Sequence, residues 1–294
     1  MRKTCPNSFR DIGWIGCSRF ALGNPNLSGR IPDVRKLFQG LDFDYQSPKT
    51  TKTFIREYFV GSEIIERTLG NSMHVFLLNI PRLEFAAIIP KGDYVTACML
   101  GEDIDDALVH SFLDSPVVKN CMPPDWQVDK RSCQCSPRIN IQGAWRPYGD
   151  RIVFIGDCGV TRLYKDGIGA AYRTAKAAAS TAIFQGISTS DFERYFWPVC
   201  KTINTDNTIG KVSFIFTKQI QKRRFARRAL IRMTRSEQEK PSQNRHMSTV
   251  MWDMFTGSAP YREIFTHTLN PAFIFNFLGN LVGSLLPSGK HKTT

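Results

Sequence analysis

The sequence predicts a chain of mixed α+β and α/β class, with an antiparallel sheet, a strand–turn–helix unit and a helical C-terminal region. Three observations predict this class. Short apolar runs separated by turn residues fill residues 75–100. An apolar strand at residues 152–155 is followed by a glycine-bearing helix start, and beyond residue 190 apolar side chains recur at helical spacing. With 294 residues, the chain is long enough to bury a sizeable core.

The first half of the chain predicts irregular structure followed by an antiparallel sheet. Residues 1–53 are rich in Gly, Pro, Asn and Ser, and we expect irregular structure there with one short helix near residues 34–38. In residues 75–100, the turns Pro81-Arg82 and 90–93 separate three apolar runs. Connections this short join antiparallel strands, so the segment predicts a β-meander. A short helix is expected over residues 103–113.

The second half predicts two strands and then mainly helices. Residues 139–145 and 151–155 have the composition of strands, and an alanine-rich helix that can pack closely on a sheet follows from Gly167. Residues 190–193 carry Ser, Asp and Glu in the arrangement of a helix start. The helical pattern continues to residue 239, and the turn-forming residues of 206–210 predict a break within it.

Two elements of the strand–turn–helix unit have the residue types of a ligand site. Gly156-Asp157 ends the strand, and Asp166-Gly167-Ile168-Gly169 begins the helix. A helix N-terminus offers unpaired N–H donors, glycine lets a flat ligand approach the backbone, and a carboxylate after a strand can bind a polyol. Together these features predict a site for a polyol-bearing ring cofactor. The alternative is an ordinary strand–turn–helix whose small residues serve packing.

Residues 151–182 resemble the second flavin-binding motif of the FAD-dependent oxidoreductase superfamily that includes geranylgeranyl reductases and aromatic hydroxylases. The resemblance implies FAD as cofactor, with Asp157 on the ribityl hydroxyls. The N–H groups near Gly167, Ile168 and Gly169 would stabilise negative charge at the flavin N1 and O2 positions. Since the resemblance implies hydride transfer through the flavin, the protein would contribute positioning. No catalytic residue is assigned; Cys98 and Cys158 are the only candidates for a proton donor.

A second segment resembles the geranylgeranyl reductase branch. That branch carries an aromatic-x-Trp-x-Phe-Pro segment, often followed by Lys-Gly-Asp, and residues 85–93 match it at Phe85 and at the turn from Pro90. Ala87 and Ile89 stand where the branch has large aromatic residues. The resemblance implies that these four side chains line a site for an apolar substrate with a different lining. A core strand followed by a hairpin explains the apolar residues equally well.

The sequence departs from this superfamily in having no Gly-x-Gly-x-x-Gly segment for the FAD pyrophosphate. We therefore expect an incomplete FAD-binding oxidoreductase fold. Residues 1–113 would form part of a substrate-binding domain, residues 114–189 the C-terminal part of an FAD-binding domain, and residues 190–294 a helical, basic region. The chain is a fragment, takes the missing half from a neighbouring chain, or has lost the cofactor site; the first is favoured.

The charge distribution predicts an anionic partner surface. The net charge is +13, and residues 191–294 hold 16 Lys/Arg against 7 Asp/Glu. Eight of these cations lie between Lys218 and Arg235, interleaved with apolar residues, which predicts a basic amphipathic helix at an anionic membrane. A solvated face packed on the rest of the protein is the alternative. The apolar residues 271–287 are fewer than the roughly 20 that span a bilayer, which favours an interfacial helix.

These observations predict a geranylgeranyl reductase-like FAD-dependent oxidoreductase acting on an apolar or lipid-like substrate. The predicted location is cytoplasmic and peripheral at a membrane. The competing interpretation is a non-catalytic membrane-associated or interaction protein that has lost flavin binding. A nucleic-acid partner is not expected, because no recognised binding motif accompanies the charge. A metal site is not expected either, because the spacing of Cys133 and Cys135 differs from that of structural zinc ligands and the histidines are scattered along the sequence.

Overall fold

A computed structural model describes residues 13–16, 44–123, 134–239 and 245–285, so the helix expected near residues 34–38 lies outside the described residues. The chain divides into two compact units. Unit 1 comprises Met1–Arg56 and Arg131–Asn207, and unit 2 comprises Glu57–Lys130 and Thr208–Thr294. The unit boundary after Arg56 falls inside a strand, and the boundary after Asn207 falls inside a helix. The division into three domains expected from the sequence remains a prediction.

The described elements alternate between short strands and helices before the chain becomes helical. The strands are β1 (Gly13–Gly16), β2 (Lys49–Lys52), β3 (Phe54–Phe59), β4 (His74–Phe76), β5 (Leu83–Lys91), β6 (Tyr94–Gly101), β7 (Gln134–Cys135), β8 (Arg138–Gln142), β9 (Tyr148–Gly149) and β10 (Ile152–Ile155). The helices are α1 (Ser62–Thr68), α2 (Asp106–Leu113), α3 (Pro116–Lys119), α4 (Gly167–Phe184), α5 (Thr189–Asp191), α6 (Trp197–Lys222), α7 (Arg224–Glu239), α8 (His246–Thr256), α9 (Tyr261–Thr268) and α10 (Pro271–Leu285). The mixed class with antiparallel pairing is therefore confirmed.

Unit 1 contains a three-stranded sheet in the order β1–β10–β9. β1 runs parallel to β10, with Gly16 opposite Ile155, so the carboxyl ends of these two strands lie at the same edge. β9 is antiparallel to β10, and β2 pairs with β8 in a separate ladder. The expectation of irregular structure over residues 1–53 is therefore wrong at β1 and β2. β1 pairs with a strand 139 positions away and β2 with one 86 to 93 positions away, and local composition carries no signal of such pairing.

The core of unit 1 lies between β10 and the helices that follow it. Ala170, Thr174 and Ala178 of α4 are buried on this side of the helix, and Ala177 and Ala182 pack against the core, which confirms the close packing predicted for the alanine-rich helix. Its buried side chains are Tyr148, Val153, Val160, Ala170, Ala178, Phe192, Phe196, Trp197, Cys200 and Ile203.

Unit 2 contains the predicted meander. β5 pairs antiparallel with β4 on one side and with β6 on the other, and Gly92 takes the positive φ of the tight turn between β5 and β6. Ala86, Ala87 and Ile88 in β5 are fully buried, so both faces of this strand are covered. The short helix expected over residues 103–113 is α2, which begins at Asp106. The preceding residue, Asp105, caps this helix, because its carboxylate accepts a hydrogen bond from Leu108 N.

The break predicted at residues 206–210 is wrong, because α6 runs unbroken through them. Asp206 and Asn207 are buried and pair with groups of residues 161–163 in unit 1. A Cβ on Gly210 would lie 2.6 Å from the Tyr261 ring, so this glycine allows a close helix contact within unit 2. The residue types that usually form turns are used here for tertiary contacts inside a helix.

The basic segment forms two helices, since α6 ends at Lys222 and α7 begins at Arg224. The apolar segment forms α10, which packs against α7. Among the described residues, none of the helices has the length and apolar character needed to cross a bilayer.

Candidate functional site

The strand end and the helix start predicted to form a site lie side by side in unit 1. Gly156 has a φ of 58°, a conformation that glycine adopts without strain, and it turns the chain out of β10 into one turn of 3₁₀ helix. A Cβ on Gly156 would lie 3.2 Å from Ala171 Cβ in the second turn of α4. The Gly156 N–H donates to the buried Thr174 hydroxyl at 3.2 Å.

The turn after β10 is also held from two other segments of unit 1. Asn140 Nδ2 donates to the Asp157 carbonyl at 3.0 Å, and the Tyr45 hydroxyl donates to the Cys158 carbonyl at 2.7 Å. Tyr45 stacks on Phe154 with ring centroids 4.1 Å apart. The backbone carrying Asp157 is therefore fixed by β8 and by the segment before β2.

Asp157 is an exposed residue whose carboxylate has no hydrogen-bond or ion-pair partner among the described residues. The surrounding protein removes part of its water, and this desolvation raises the pKa of Asp157 above its ordinary value. An unpartnered carboxylate at the end of a strand, beside the edge where β1 also ends, has the capacity to accept hydrogen bonds from a ligand.

Asp166 begins α4 in the left-handed region, with φ 50° and ψ 42°. Its carboxylate accepts a bond from Gly169 N at 3.1 Å and pairs with Arg173 at 2.6 Å and with Arg162 at 3.2 Å. Arg162 Nε also lies 3.9 Å from the buried Asp206 carboxylate. Asp166 is therefore both the cap of the helix and the centre of a charged cluster.

The space at the helix start differs between its two glycines. A Cβ on Gly169 would lie 2.1 Å from Asp166 Oδ1, so the Asp166 carboxylate fills the space that this glycine provides. A Cβ on Gly167 would meet no atom within 4 Å, and Ile168 is 74% exposed. The N–H groups of Gly167 and Ile168 have no partner within the described ranges. The open part of the helix start is thus Gly167 and Ile168.

Sequence patterns did not identify the residues that hold this site together. Thr174, Asn140 and Asn207 act through buried or partly buried hydrogen bonds to backbone groups that are 17 to 46 positions away. Arg162 lies four residues before Asp166, and Arg173 lies seven residues after it. These positions would have suggested charge pairing only if Asp166 had already been identified as the helix cap.

We expect Thr174→Val to lower the free energy of unfolding by about 1–3 kcal/mol, because it leaves the buried Gly156 N–H without an acceptor. Thr181→Val is the matched control. Thr181 is equally buried on α4, but its hydroxyl bonds only to Ala177 O within the helix, so its loss costs about 0.5 kcal/mol or less. Chemical denaturation of both variants measures the difference; equal costs would show that the Thr174 bond to Gly156 contributes nothing.

The residues predicted to bind substrate lie on β5 in unit 2. Phe85 is buried and stacks on Phe255 of α8, with ring centroids 4.5 Å apart and planes 12° apart. Ala87 is fully buried, while Ile89 and Pro90 are partly exposed. Of these four residues, Ile89 and Pro90 are therefore the two with surface available to a ligand.

The turn that carried the second resemblance has a structural role in unit 2. Lys91 pairs with Glu57 at 3.0 Å, and the Asp93 carbonyl accepts bonds from Val60 and Gly61. Asp93 Oδ1 accepts a bond at 3.0 Å from Ser62 N, the first residue of α1. This turn therefore closes the hairpin and satisfies a donor at the start of a helix.

The two candidate proton donors lie in different units. Cys158 is buried in the turn after β10, and Cys98 is partly buried on β6. Neither residue gains support as a proton donor from these positions.

Comparisons with known proteins give flavin enzymes as structural neighbours. No protein-family model and no curated protein matches this chain. A mutant of the halogenase PltM in complex with FAD matches with 10% identity and a TM-score of 0.43, over 86% of this chain and 56% of that one. The flavin-dependent monooxygenase PieE, in complex with FAD and substrate, matches with 13% identity and a TM-score of 0.43, over 85% and 40%. The flavin-dependent halogenase CmlS matches with 13% identity and a TM-score of 0.32, over 84% and 42%.

These TM-scores are too low to establish a shared fold, so the case for a flavin site depends on the residues of unit 1. This chain spans about half of the length of the solved proteins that it matches.

Proposed function

We propose that this chain is part of an FAD-dependent oxidoreductase of the geranylgeranyl reductase-like kind, acting on an apolar or lipid-like substrate at a membrane surface. One observation carries the proposal: an unpartnered carboxylate, Asp157, follows a turn that packs on the second turn of a helix whose start is open at Gly167. A carboxylate for a polyol and free N–H donors beside open space match the polar edge of a flavin.

The residues of the site fit a flavin at two of the three expected places. Asp157 would accept hydrogen bonds from ribityl hydroxyls, and the N–H groups of Gly167 and Ile168 would face the polar edge of the ring. At Gly169 the fit is poorer, because its N–H already donates to Asp166. Arg162 and Arg173 pair with Asp166, and Arg162 also lies near Asp206, so this cluster adds no net positive charge and the N–H groups are the donors proposed for the ring edge.

A bound flavin would supply hydride transfer, and the chain's own residues would bind and orient it. Because desolvation disfavours the ionised form of Asp157, hydrogen bonds donated by a ligand would stabilise its carboxylate. The proposal for the substrate depends on the resemblance of β5 to the geranylgeranyl reductase segment. Of the four predicted substrate-binding residues, Ile89 and Pro90 are the two that are partly exposed, and they are the proposed contacts.

A second candidate function is a non-catalytic protein that has kept this unit without its cofactor. The contact between Asp166 and Gly169 favours it, because the carboxylate satisfies a donor that a flavin would otherwise use. The absence of Gly-x-Gly-x-x-Gly from the sequence favours it as well. Flavin binding by the purified chain separates the two functions.

We expect the purified chain to quench flavin fluorescence on titration, and Asp157→Asn to weaken flavin binding by about tenfold or more, since charge-assisted hydrogen bonds are lost. Asp150→Asn is the control. Asp150 is an exposed carboxylate at the opposite end of β10, and its replacement should leave the affinity unchanged. Equal affinity in both variants would remove Asp157 from the site, and the absence of any quenching would support the non-catalytic function.

Comparison of FAD with riboflavin sharpens this titration. Because no pyrophosphate-binding glycine motif is present in the sequence, the contacts should come from the ring and the ribityl chain. We expect FAD and riboflavin to bind with affinities within about tenfold of each other. A much tighter FAD complex would reveal a phosphate site elsewhere in the chain.

We expect Asp157→Asn to change the pH dependence of stability as well. The raised pKa means that the folded state holds this proton more tightly than the unfolded state does. Wild-type stability therefore falls as pH rises from the unfolded pKa through the folded pKa, and the variant lacks this fall. Thermal unfolding between about pH 3.5 and 7 should show the variant gaining on the wild type as pH rises. Parallel curves would contradict the desolvation of Asp157.

A further inference from the structure

Helix α10 exposes an apolar stripe to solvent. Its 15 residues contain no charged side chain. Five large apolar residues at helical spacing are between 39% and 76% exposed: Ile274, Phe275, Leu278, Val282 and Leu285. Contiguous exposed apolar residues of this kind are typical of interaction sites.

The opposite side of α10 is fixed to α7 within unit 2. Phe273 and Ser284 are the buried residues of α10, and the two helices pack against each other. A Cβ on Gly283 would lie 2.9 Å from Nη1 of Arg232, so this glycine brings α10 close to an arginine of α7. The apolar stripe therefore lies on the side of α10 that faces away from α7, and Arg232 is the α7 arginine that lies close to α10.

Helix α7 presents a row of exposed arginines. Arg224, Arg228, Arg232 and Arg235 recur at spacings of four, four and three residues and are exposed. Arg235 pairs with Glu239, whereas the other three have no ion pair within the described ranges. Glu237, the other carboxylate of α7, is buried and accepts bonds from the start of α8. The exposed surface of α7 is thus strongly positive.

We propose that α7 and α10 form a docking surface for an anionic lipid bilayer, with the stripe of α10 in the interface and the α7 arginines on the headgroups. Charge complementarity selects this occupant, since an anionic leaflet offers an apolar layer directly beneath negative charge. A helix of 15 residues is roughly 22 Å long and would lie in the plane of the interface. A second copy of the chain is the alternative occupant of the stripe, and dimer formation is measured as an outcome of the test below.

This proposal rests on the membrane attachment named in the proposed function, but it is tested without flavin. Its failure would remove the membrane attachment and leave the proposed flavin binding standing, and failure of flavin binding would leave the docking surface standing. The experiment is cosedimentation of the full chain with vesicles of phosphatidylcholine alone or mixed with phosphatidylserine. We expect binding to the mixed vesicles, weakening with added salt, and little binding to neutral ones.

Two pairs of variants separate the stripe and the arginine row from general effects. Phe275→Glu should abolish sedimentation, whereas Phe184→Glu should not, although Phe184 on α4 is as exposed as Phe275 (75% against 76%). Arg224→Gln with Arg228→Gln should weaken binding by about tenfold to a hundredfold. Lys176→Gln with Lys211→Gln removes the same charge from exposed positions outside α7 and α10 and should have little effect.

The possible outcomes decide the proposal. Circular dichroism confirms that each variant is folded, as its exposed position leads us to expect. Failure of the wild type to sediment with anionic vesicles overturns the proposal, as does equal loss in Phe275→Glu and Phe184→Glu. A concentration-dependent dimer that Phe275→Glu dissociates would assign the stripe to a second copy of the chain instead.

Discussion

Gly159→Ala is expected to lower the free energy of unfolding of unit 1 by about 3 kcal/mol, because the added methyl group would collide with the backbone of β10. A Cβ at this position would lie 2.4 Å from the Phe154 carbonyl oxygen and 3.0 Å from its carbon. Both are backbone atoms of β10 and cannot rotate away. Gly159 also donates to Gly156 O at 2.9 Å and accepts from Ala144 N at 2.9 Å, so its backbone is fixed as well.

Gly167→Ala is the matched control for that variant. A Cβ at Gly167 would meet nothing within 4 Å, and alanine is a better helix former than glycine. We expect this variant to be as stable as the wild type or to gain up to about 1 kcal/mol. Denaturant unfolding followed by tryptophan fluorescence measures both. If Gly159→Ala behaved like Gly167→Ala, the turn after β10 would be free to widen, and the fixed position of Asp157 would be wrong.

Asn207→Ala is expected to cost about 2–4 kcal/mol, because it leaves two buried backbone groups unpaired. Asn207 Oδ1 accepts from Leu163 N at 2.8 Å, and Nδ2 donates to Thr161 O at 2.8 Å. The side chain is buried on α6, so water does not replace either bond.

Asn276→Ala on the exposed surface of α10 provides the control for helix propensity, which favours alanine equally at both positions. We expect it to change the free energy of unfolding by less than about 0.5 kcal/mol. Differential scanning calorimetry on both variants compares them. A small cost at Asn207 would indicate that the segment before α4 rearranges and finds other partners.

Local sequence patterns sufficed for elements whose signals are local. Turn residues around an apolar strand predicted β5 and β6, and the glycines after β10 predicted the start of α4 at Gly167. The pattern did not predict which glycine would be open. Gly169 was expected to make room for a ligand, but the structure uses that space for the side chain three residues earlier. A carboxylate that folds back on its own helix competes with an external ligand for the same donors.

Non-local contacts explain the remaining failures. β1 and β2 depend on partners near residues 138–155, and α6 continues through Asn207 and Gly210 because residues outside the helix satisfy or surround them. The ion pairs of Arg162 and Arg173 depend on the left-handed conformation of Asp166, whose carboxylate both arginines contact. Such contacts are properties of the assembled unit, and a single sequence does not display them.

The residues of the hairpin at Lys91–Asp93 are explained by folding alone, so their presence in a sequence does not by itself indicate catalytic activity. Its lysine, glycine and aspartate each satisfy a mechanical need of the scaffold, through an ion pair, a tight reversal and a helix cap. Selection for a well-folded hairpin would preserve these three residues both in an active enzyme and in a related protein that has no catalytic activity. Ile89 and Pro90 are partly exposed and take no part in these three contacts, so substitutions there would leave the ion pair, the reversal and the helix bond intact.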